Sequence, residues 1–145
     1  MTDDKRCFID TNVLLVASDT DRPNHSEAIQ FLESGLSGKT RLFTNGQVFR
    51  EYLVVATRPK KQNGFGLTTS DALNNLEAFG TCIQILDESQ AVARRLQQLV
   101  TRHDLKGKRI HDANLVATMQ ENGLTLLKTY NSGDFSVFEN IQFVE

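Results

Sequence analysis

Short apolar runs alternate with longer stretches of helical periodicity along this 145-residue chain, and that alternation constrains the fold more than any other feature. Cys7–Ile9, Arg41–Thr44, Cys82–Leu86, Leu124–Lys128 and a short Ile141–Val144 read as strands. Between them, helical spacing of apolar residues predicts helices at Val13–Ala17, His25–Leu36, Asn45–Thr57, Thr69–Phe79, Glu88–Arg102 and His111–Asn122. Gly35 and Gly38 are expected to close the second helix, Arg58-Pro59 the third and Gly123 the last. Thr69 or Ser70 is expected to cap the fourth. Strands joined by helices pair in parallel, because a parallel connection must cross back over the sheet. The predicted fold is therefore α/β, with a mainly parallel central sheet of about five strands and helices on both faces. The chain has the length of one domain, 1–145, with no internal repeat, low-complexity tract or linker.

Composition narrows the class. The chain is 39% hydrophobic and 23% charged, as in globular proteins. It carries no apolar run long enough to cross a bilayer, and its start, Met1 to Arg6, lacks the apolar stretch of a signal peptide. Cys7 and Cys82 lie in apolar segments with no CxxC spacing. They read as buried free thiols in a reducing cytoplasm rather than as a disulfide or a zinc site.

The segment Phe8–Leu15 (FIDTNVLL) joins a strand to a helix, with Thr11 and Asn12 resembling helix-capping residues. Asp10 stands at the strand's C-terminal edge, where open α/β sheets bind ligands. A carboxylate there needs a cation or a hydrogen-bond network, so Asp10 reads either as a metal ligand or as a helix cap. Glu51 shares a helix face with Val48 and Val55, beside a buried stripe. Asp112 opens a helix whose Leu115, Val116 and Met119 lie on its own side, at the positive end of the helix dipole. Asp134 follows Asn131-Ser132-Gly133, in the turn past the fourth strand.

Each acid alone has an ordinary structural role, as a cap, an ion-pair partner of Arg50 or Arg58, a helix-end charge or a turn residue. Together, three stand where the same sheet edge would gather them, and Glu51, about a turn and a half into its helix, has to reach across. Hard oxygen donors of this kind suit Mg²⁺ or Mn²⁺. The net charge of −2 looks wrong for a nucleic-acid binder, yet without these four acids 14 acidic residues face 16 basic ones, a net of +2.

These residues carry a resemblance. FIDTNVLL, Glu51 within VFREYLVVATRP, the helix opening RIHDANLVATM, and TYNSGDF occur in the order and approximate spacing of the PIN-domain nucleases. Among these the chain most resembles the VapC-type toxins of toxin–antitoxin pairs. The resemblance implies a PIN-like three-layer sandwich and a Mg²⁺- or Mn²⁺-dependent endoribonuclease. It also implies a homodimer held in check by a small antitoxin protein. It assigns Asp10, Glu51, Asp112 and Asp134 as the metal-binding acids and Asn12, beside Thr11, as an orienting residue. Thr129 and Asn131 would shape the turn that holds Asp134.

Candidate RNA contacts are Arg58, Lys60 and Lys61 around a Gly-containing loop, Lys106, Lys108 and Arg109 ahead of the Asp112 helix, and His111. Phe65, between two glycines, is read as a base-stacking residue, a gap filler or a partner contact. His25 and His103 form no constellation. Two competing readings use the same residues. One is a catalytically inactive PIN-fold module that binds RNA or protein. The other is a phosphoryl-accepting domain built on Asp10 and Lys128.

Overall fold

A computed structural model describes residues 5–144; residues 1–4, which carry most of the segment expected to lack a signal peptide, lie outside them. The strands are β1 (Arg6–Ile9), β2 (Arg41–Asn45), β3 (Ile83–Leu86), β4 (Leu126–Lys128) and β5 (Gln142–Phe143). The helices are α1 (Thr11–Ala17), α2 (His25–Leu36), α3 (Gly46–Thr57), α4 (Thr69–Gly80), α5 (Gln90–His103) and α6 (Arg109–Glu121). Single 3₁₀ turns stand at Lys60–Gln62 and Ser132–Phe135. The sheet has the order β3-β2-β1-β4-β5, and every pairing is parallel.

β1 is the central strand. Its Cys7, Phe8 and Ile9 are all fully buried, as a strand covered on both faces requires. The chain first steps outward from β1 to β2 and β3, then crosses back to β4 and β5. Right-handed crossovers place α1–α4 on one face and α5–α6 on the other. The direction reverses between β1 and β4, and such a switch point opens a crevice at the strands' C-terminal ends. Asp10 and Thr129 leave the sheet on either side of that crevice, and Asp10 N–H donates to the Lys128 carbonyl at 3.1 Å. Among the described residues, no helix is long and apolar enough to cross a membrane.

Tyr52 shows how α3 is fastened. It is fully buried and packs edge-to-face on Phe79 of α4 at 5.4 Å, while its hydroxyl bonds Ser18 and Asn75. Burying a side chain of this size contributes roughly 2–3 kcal/mol, and pairing its hydroxyl avoids the cost of an orphaned polar group.

Several boundaries differ from the expected ones for local reasons. Asp10, not Thr11 or Asn12, is the N-cap of α1, and the two polar residues form its first turn. Thr68 caps α4, its hydroxyl accepting from Asp71 N–H, so the helix starts one residue past the cap. α6 starts at Arg109, two residues before His111. Gly35 lies inside α2 rather than closing it. A Cβ there would come within 2.5 Å of the Cys82 carbonyl and 2.8 Å of a Leu42 methyl, so the glycine permits close helix–sheet approach. Gly38, at φ 78°, makes the turn that follows.

Candidate active site

The site grows from β1. Asp10 is 9% exposed, and three donors converge on its carboxylate. Thr11 N–H reaches Oδ1 at 2.7 Å, while Thr129 Oγ1 at 2.9 Å and Asn12 Nδ2 at 3.4 Å reach Oδ2. Thr129 Oγ1 also accepts from Asn12 Nδ2 at 3.1 Å and from Asn131 N–H at 3.0 Å. Asn12 Oδ1 accepts from Tyr130 N–H, which ties α1 to the segment after β4. Asn131 thus enters through its backbone, and its carbonyl accepts from Asp134 N–H in the 3₁₀ turn.

The other acids face Asp10. Burial pushes the Asp10 carboxyl up to about 6 against the pull of Thr129 and Thr11, with Glu51 and Asp134 adding repulsion. Burial, then the charges of Asp10, Asp134 and Glu51, push half-buried Asp112 up to about 6, with Arg109 opposing. The four carboxylates therefore lie within range of one another's charge. Glu51 is held at both oxygens: Thr11 Oγ1 donates to Oε2 at 2.9 Å and Gln47 Nε2 to Oε1 at 2.6 Å. It pairs with neither Arg50 nor Arg58. Asp134 is exposed at the mouth.

Glu51, Asp112 and Asp134 line a cleft of about 470 Å³ together with Lys108, Arg109 and His111. Arg58, Lys60 and Lys61 do not line it. They follow the end of α3, about two helical turns past Glu51. The Arg58 guanidinium donates to the Asn63 carbonyl, and the Arg22 guanidinium lies 5.6 Å from the Phe65 ring centroid. His25 Nδ1 bonds the Val16 carbonyl, and His103 packs edge-on against Phe138. Lys128 is no partner of Asp10. It is 3% exposed, its ammonium pairs with Glu27 and lies over the Phe31 and Tyr130 rings, and Tyr130 Oη also donates to Glu27. The phosphoryl-accepting reading thereby loses its cation.

Three residues of the site escaped the sequence reading: Gln47, Asn114 and Glu88. Gln47 stands one turn before Glu51, so a polar residue on an otherwise buried stripe was the available signal. Asn114 and Glu88 come from α6 and from the segment after β3, and only the folded chain brings them together.

All the acidic donors are hard oxygens, and Asp10 is a desolvated carboxylate under repulsion from its neighbours, so a divalent ion would relieve the strain. Among the described residues, no three His, Cys, Asp or Glu side chains are gathered closely enough to chelate an ion unaided. A hard divalent ion held here would bind through one or two of these carboxylates and keep several waters.

A parallel sheet whose switch point brings acids from four different segments near one another, three of them lining a cleft, is an arrangement suited to hydrolysis. The chain belongs to the PIN-domain family, whose profile matches residues 7–141. It is similar to the protein named Ribonuclease VapC23 of Mycobacterium tuberculosis, with 32% identity over 133 residues, covering 92% of this chain and 98% of that protein. Its fold is similar to a VapBC2 structure from Rickettsia felis bound to a promoter DNA fragment. The TM-score there is 0.72 at 17% identity, over 96% of this chain and 97% of the other. A toxin–antitoxin complex from Klebsiella pneumoniae matches with a TM-score of 0.62 at 25% identity, covering 96% of both chains.

Proposed function

We propose that this chain is a divalent-metal-dependent endoribonuclease, the toxin of a type II toxin–antitoxin pair, acting as one nuclease domain in the cytoplasm. One observation carries the reading: Glu51, Asp112 and Asp134, from three separate segments, line one cleft with Lys108, Arg109 and His111, and buried Asp10 lies within range of their charge. The similarity to a ribonuclease over nearly the whole chain supports RNA as the substrate.

Asp10 and Asp112 would hold Mg²⁺ or Mn²⁺, directly or through water. When bound, such an ion supplies positive charge to a phosphoryl oxygen and lowers the pKa of a water. Asp10 is oriented by Thr11, Thr129 and Asn12, so its carboxylate needs no rearrangement to serve. Glu51, fixed at both oxygens, keeps its charge aimed into the cleft. Asp134, exposed at the mouth, would take a proton from the water that attacks phosphorus, while the P–O bond to the leaving ribose oxygen breaks and that oxygen takes a proton from solvent. Lys108 and Arg109 hold the RNA backbone, and the buried wall around Asp10 keeps bulk water from screening these charges.

A small antitoxin protein and a second copy of this chain are the proposed partners, in keeping with the toxin–antitoxin complex at 25% identity. The exposed Val54 on α3 and Leu73 on α4, 54% and 49% accessible, offer them apolar surface. The test is cleavage of a structured RNA by antitoxin-free protein in Mg²⁺ or Mn²⁺. Asp10→Asn and Asp112→Asn should each abolish cleavage while circular dichroism stays unchanged. Full activity in both variants would refute the reading. No turnover by the parent chain above the Asp10→Asn background would leave the inactive binding module.

A further inference from the structure

Glu51 reaches the cleft on a long, flexible side chain, and a carboxylate at the end of three rotatable bonds needs restraint to act in one place. The restraint runs through a chain of amides. Gln47 Nε2 donates one hydrogen to Glu51 Oε1 at 2.6 Å and the other to the His111 carbonyl at 3.1 Å. Gln47 Oε1 accepts from Asn114 Nδ2 at 2.6 Å, and Asn114 Nδ2 gives its second hydrogen to Glu88 Oε1 at 2.7 Å. Glu88 Oε2 closes the loop by accepting from Gln47 N–H at 3.1 Å, in the first turn of α3.

Carboxylates and backbone carbonyls can only accept, so both amides have a single possible orientation, and each hydrogen of the Gln47 side chain is used. Gln47 is 2% exposed, whereas Glu88 is exposed. The chain therefore starts at the surface, in the β3–α5 connection, passes through α6, and ends on an acid of the cleft. A buried glutamine on an apolar stripe, with every bond spoken for, is not needed to hold α3 against the sheet. Val48, Tyr52 and Ala56, all fully buried, anchor α3 in the core, Tyr52 through Phe79, Asn75 and Ser18.

We infer that Gln47, clamped by Asn114 and Glu88, is the positioning residue for Glu51, and that the β3–α5 connection thereby sets the geometry of the metal-binding cleft. The inference rests on the nuclease reading for its consequence in turnover, but the positioning itself is readable from metal binding alone. Residues that orient metal-site carboxylates through hydrogen bonds typically change affinity or activity about 10–100-fold.

The test is a double-mutant cycle read by Mn²⁺ calorimetry on the full chain, with RNA cleavage alongside. Gln47→Met, close in volume but without a donor, should weaken Mn²⁺ binding about tenfold and lower kcat similarly, with the KM for RNA unchanged. Glu88→Ala, at an exposed position that leaves the fold intact, should weaken Mn²⁺ binding several-fold in the same direction. In a Glu51→Ala background, neither change should alter Mn²⁺ affinity further, because the group they act through is gone. Parent-like Mn²⁺ affinity in Glu88→Ala and Gln47→Met overturns the inference. So does an equal loss with and without Glu51, which would mark a purely structural role. If the parent chain binds Mn²⁺ but cleaves no RNA, the nuclease reading fails while the calorimetric cycle still decides the role of Gln47.

Discussion

Asp10→Asn separates the two roles proposed for the buried acid beside the cleft, helix cap and metal ligand. The native carboxyl is raised from an ordinary 3.8 to about 6, chiefly by burial, which amounts to a penalty of about 3 kcal/mol once it is ionised. Between these two values the native state binds more protons than the unfolded chain, so the stability of the metal-free protein falls as pH rises from about 4 to about 6. Asparagine carries no charge and removes the penalty. It keeps an acceptor for Thr11 N–H, so the cap survives. It cannot keep the bond from Thr129, because Thr129 Oγ1 already accepts from Asn12 Nδ2 and Asn131 N–H and must donate onward. Losing that bond costs about 1 kcal/mol.

The variant should therefore be more stable than the parent by about 2 kcal/mol at pH 7 in a chelator. At pH 4, where the parent already holds its proton, the gain should disappear and the lost bond should leave the variant level with the parent or up to about 1 kcal/mol less stable. Relief of half-buried Asp112 acts in the same direction. Urea unfolding followed by circular dichroism at the two pH values measures both. An Asp10→Asn protein less stable than its parent at pH 7 by 1 kcal/mol or more would refute this reasoning and make the cap the residue's main contribution.

Thr129→Val removes a donor to Asp10 and the acceptor of Asn12 and Asn131; urea unfolding should show a loss of about 2 kcal/mol, and turnover should fall at least about tenfold. Lys128→Met should change stability by less than about 1 kcal/mol, since it removes a desolvated ammonium while its half-exposed partner Glu27 rehydrates; a loss above about 3 kcal/mol would show the pair to be net stabilising. Lys108→Ala and Arg109→Ala should each raise the KM for RNA and flatten its dependence on salt, measured between 50 and 200 mM, roughly the range over which phosphate contacts weaken most visibly.

The strands and helices were legible because their signals are local. The His25–Leu36 helix has its expected bounds, and the β1 residues read as a buried strand from composition alone. Two of the candidate acids stand out because they break their surroundings: Asp10 ends an apolar run, and Glu51 interrupts a buried stripe, whereas Asp112 and Asp134 sit at an ordinary helix start and turn and gain meaning only in company. Cap positions were harder, since Thr68, Thr69 and Ser70 are all competent caps and only the backbone entering α4 selects Thr68. Gly35 misled for a related reason. Glycine closes helices, but it also lets a helix approach a sheet, and the Cys82 carbonyl that demands it is 47 residues away in the chain. The partners of Lys128 and the amides beside Glu51 were out of reach because each joins segments far apart in sequence. A lysine ending a strand gives no hint that Glu27 will meet it, and Gln47 acquires its meaning only when α6 and the β3–α5 connection close around it.

The chemistry of the RNA ends tests the central claim most directly, that these acids run a hydrolysis by water with a divalent ion. A defined RNA cleaved by the antitoxin-free chain should yield fragments with a phosphomonoester at one new end and a hydroxyl at the other, formed in Mg²⁺ or Mn²⁺ and not in chelator. Fragments ending in 2′,3′-cyclic phosphate, or cleavage that persists in chelator, would mean that the ribose hydroxyl rather than a water attacks, and would contradict it.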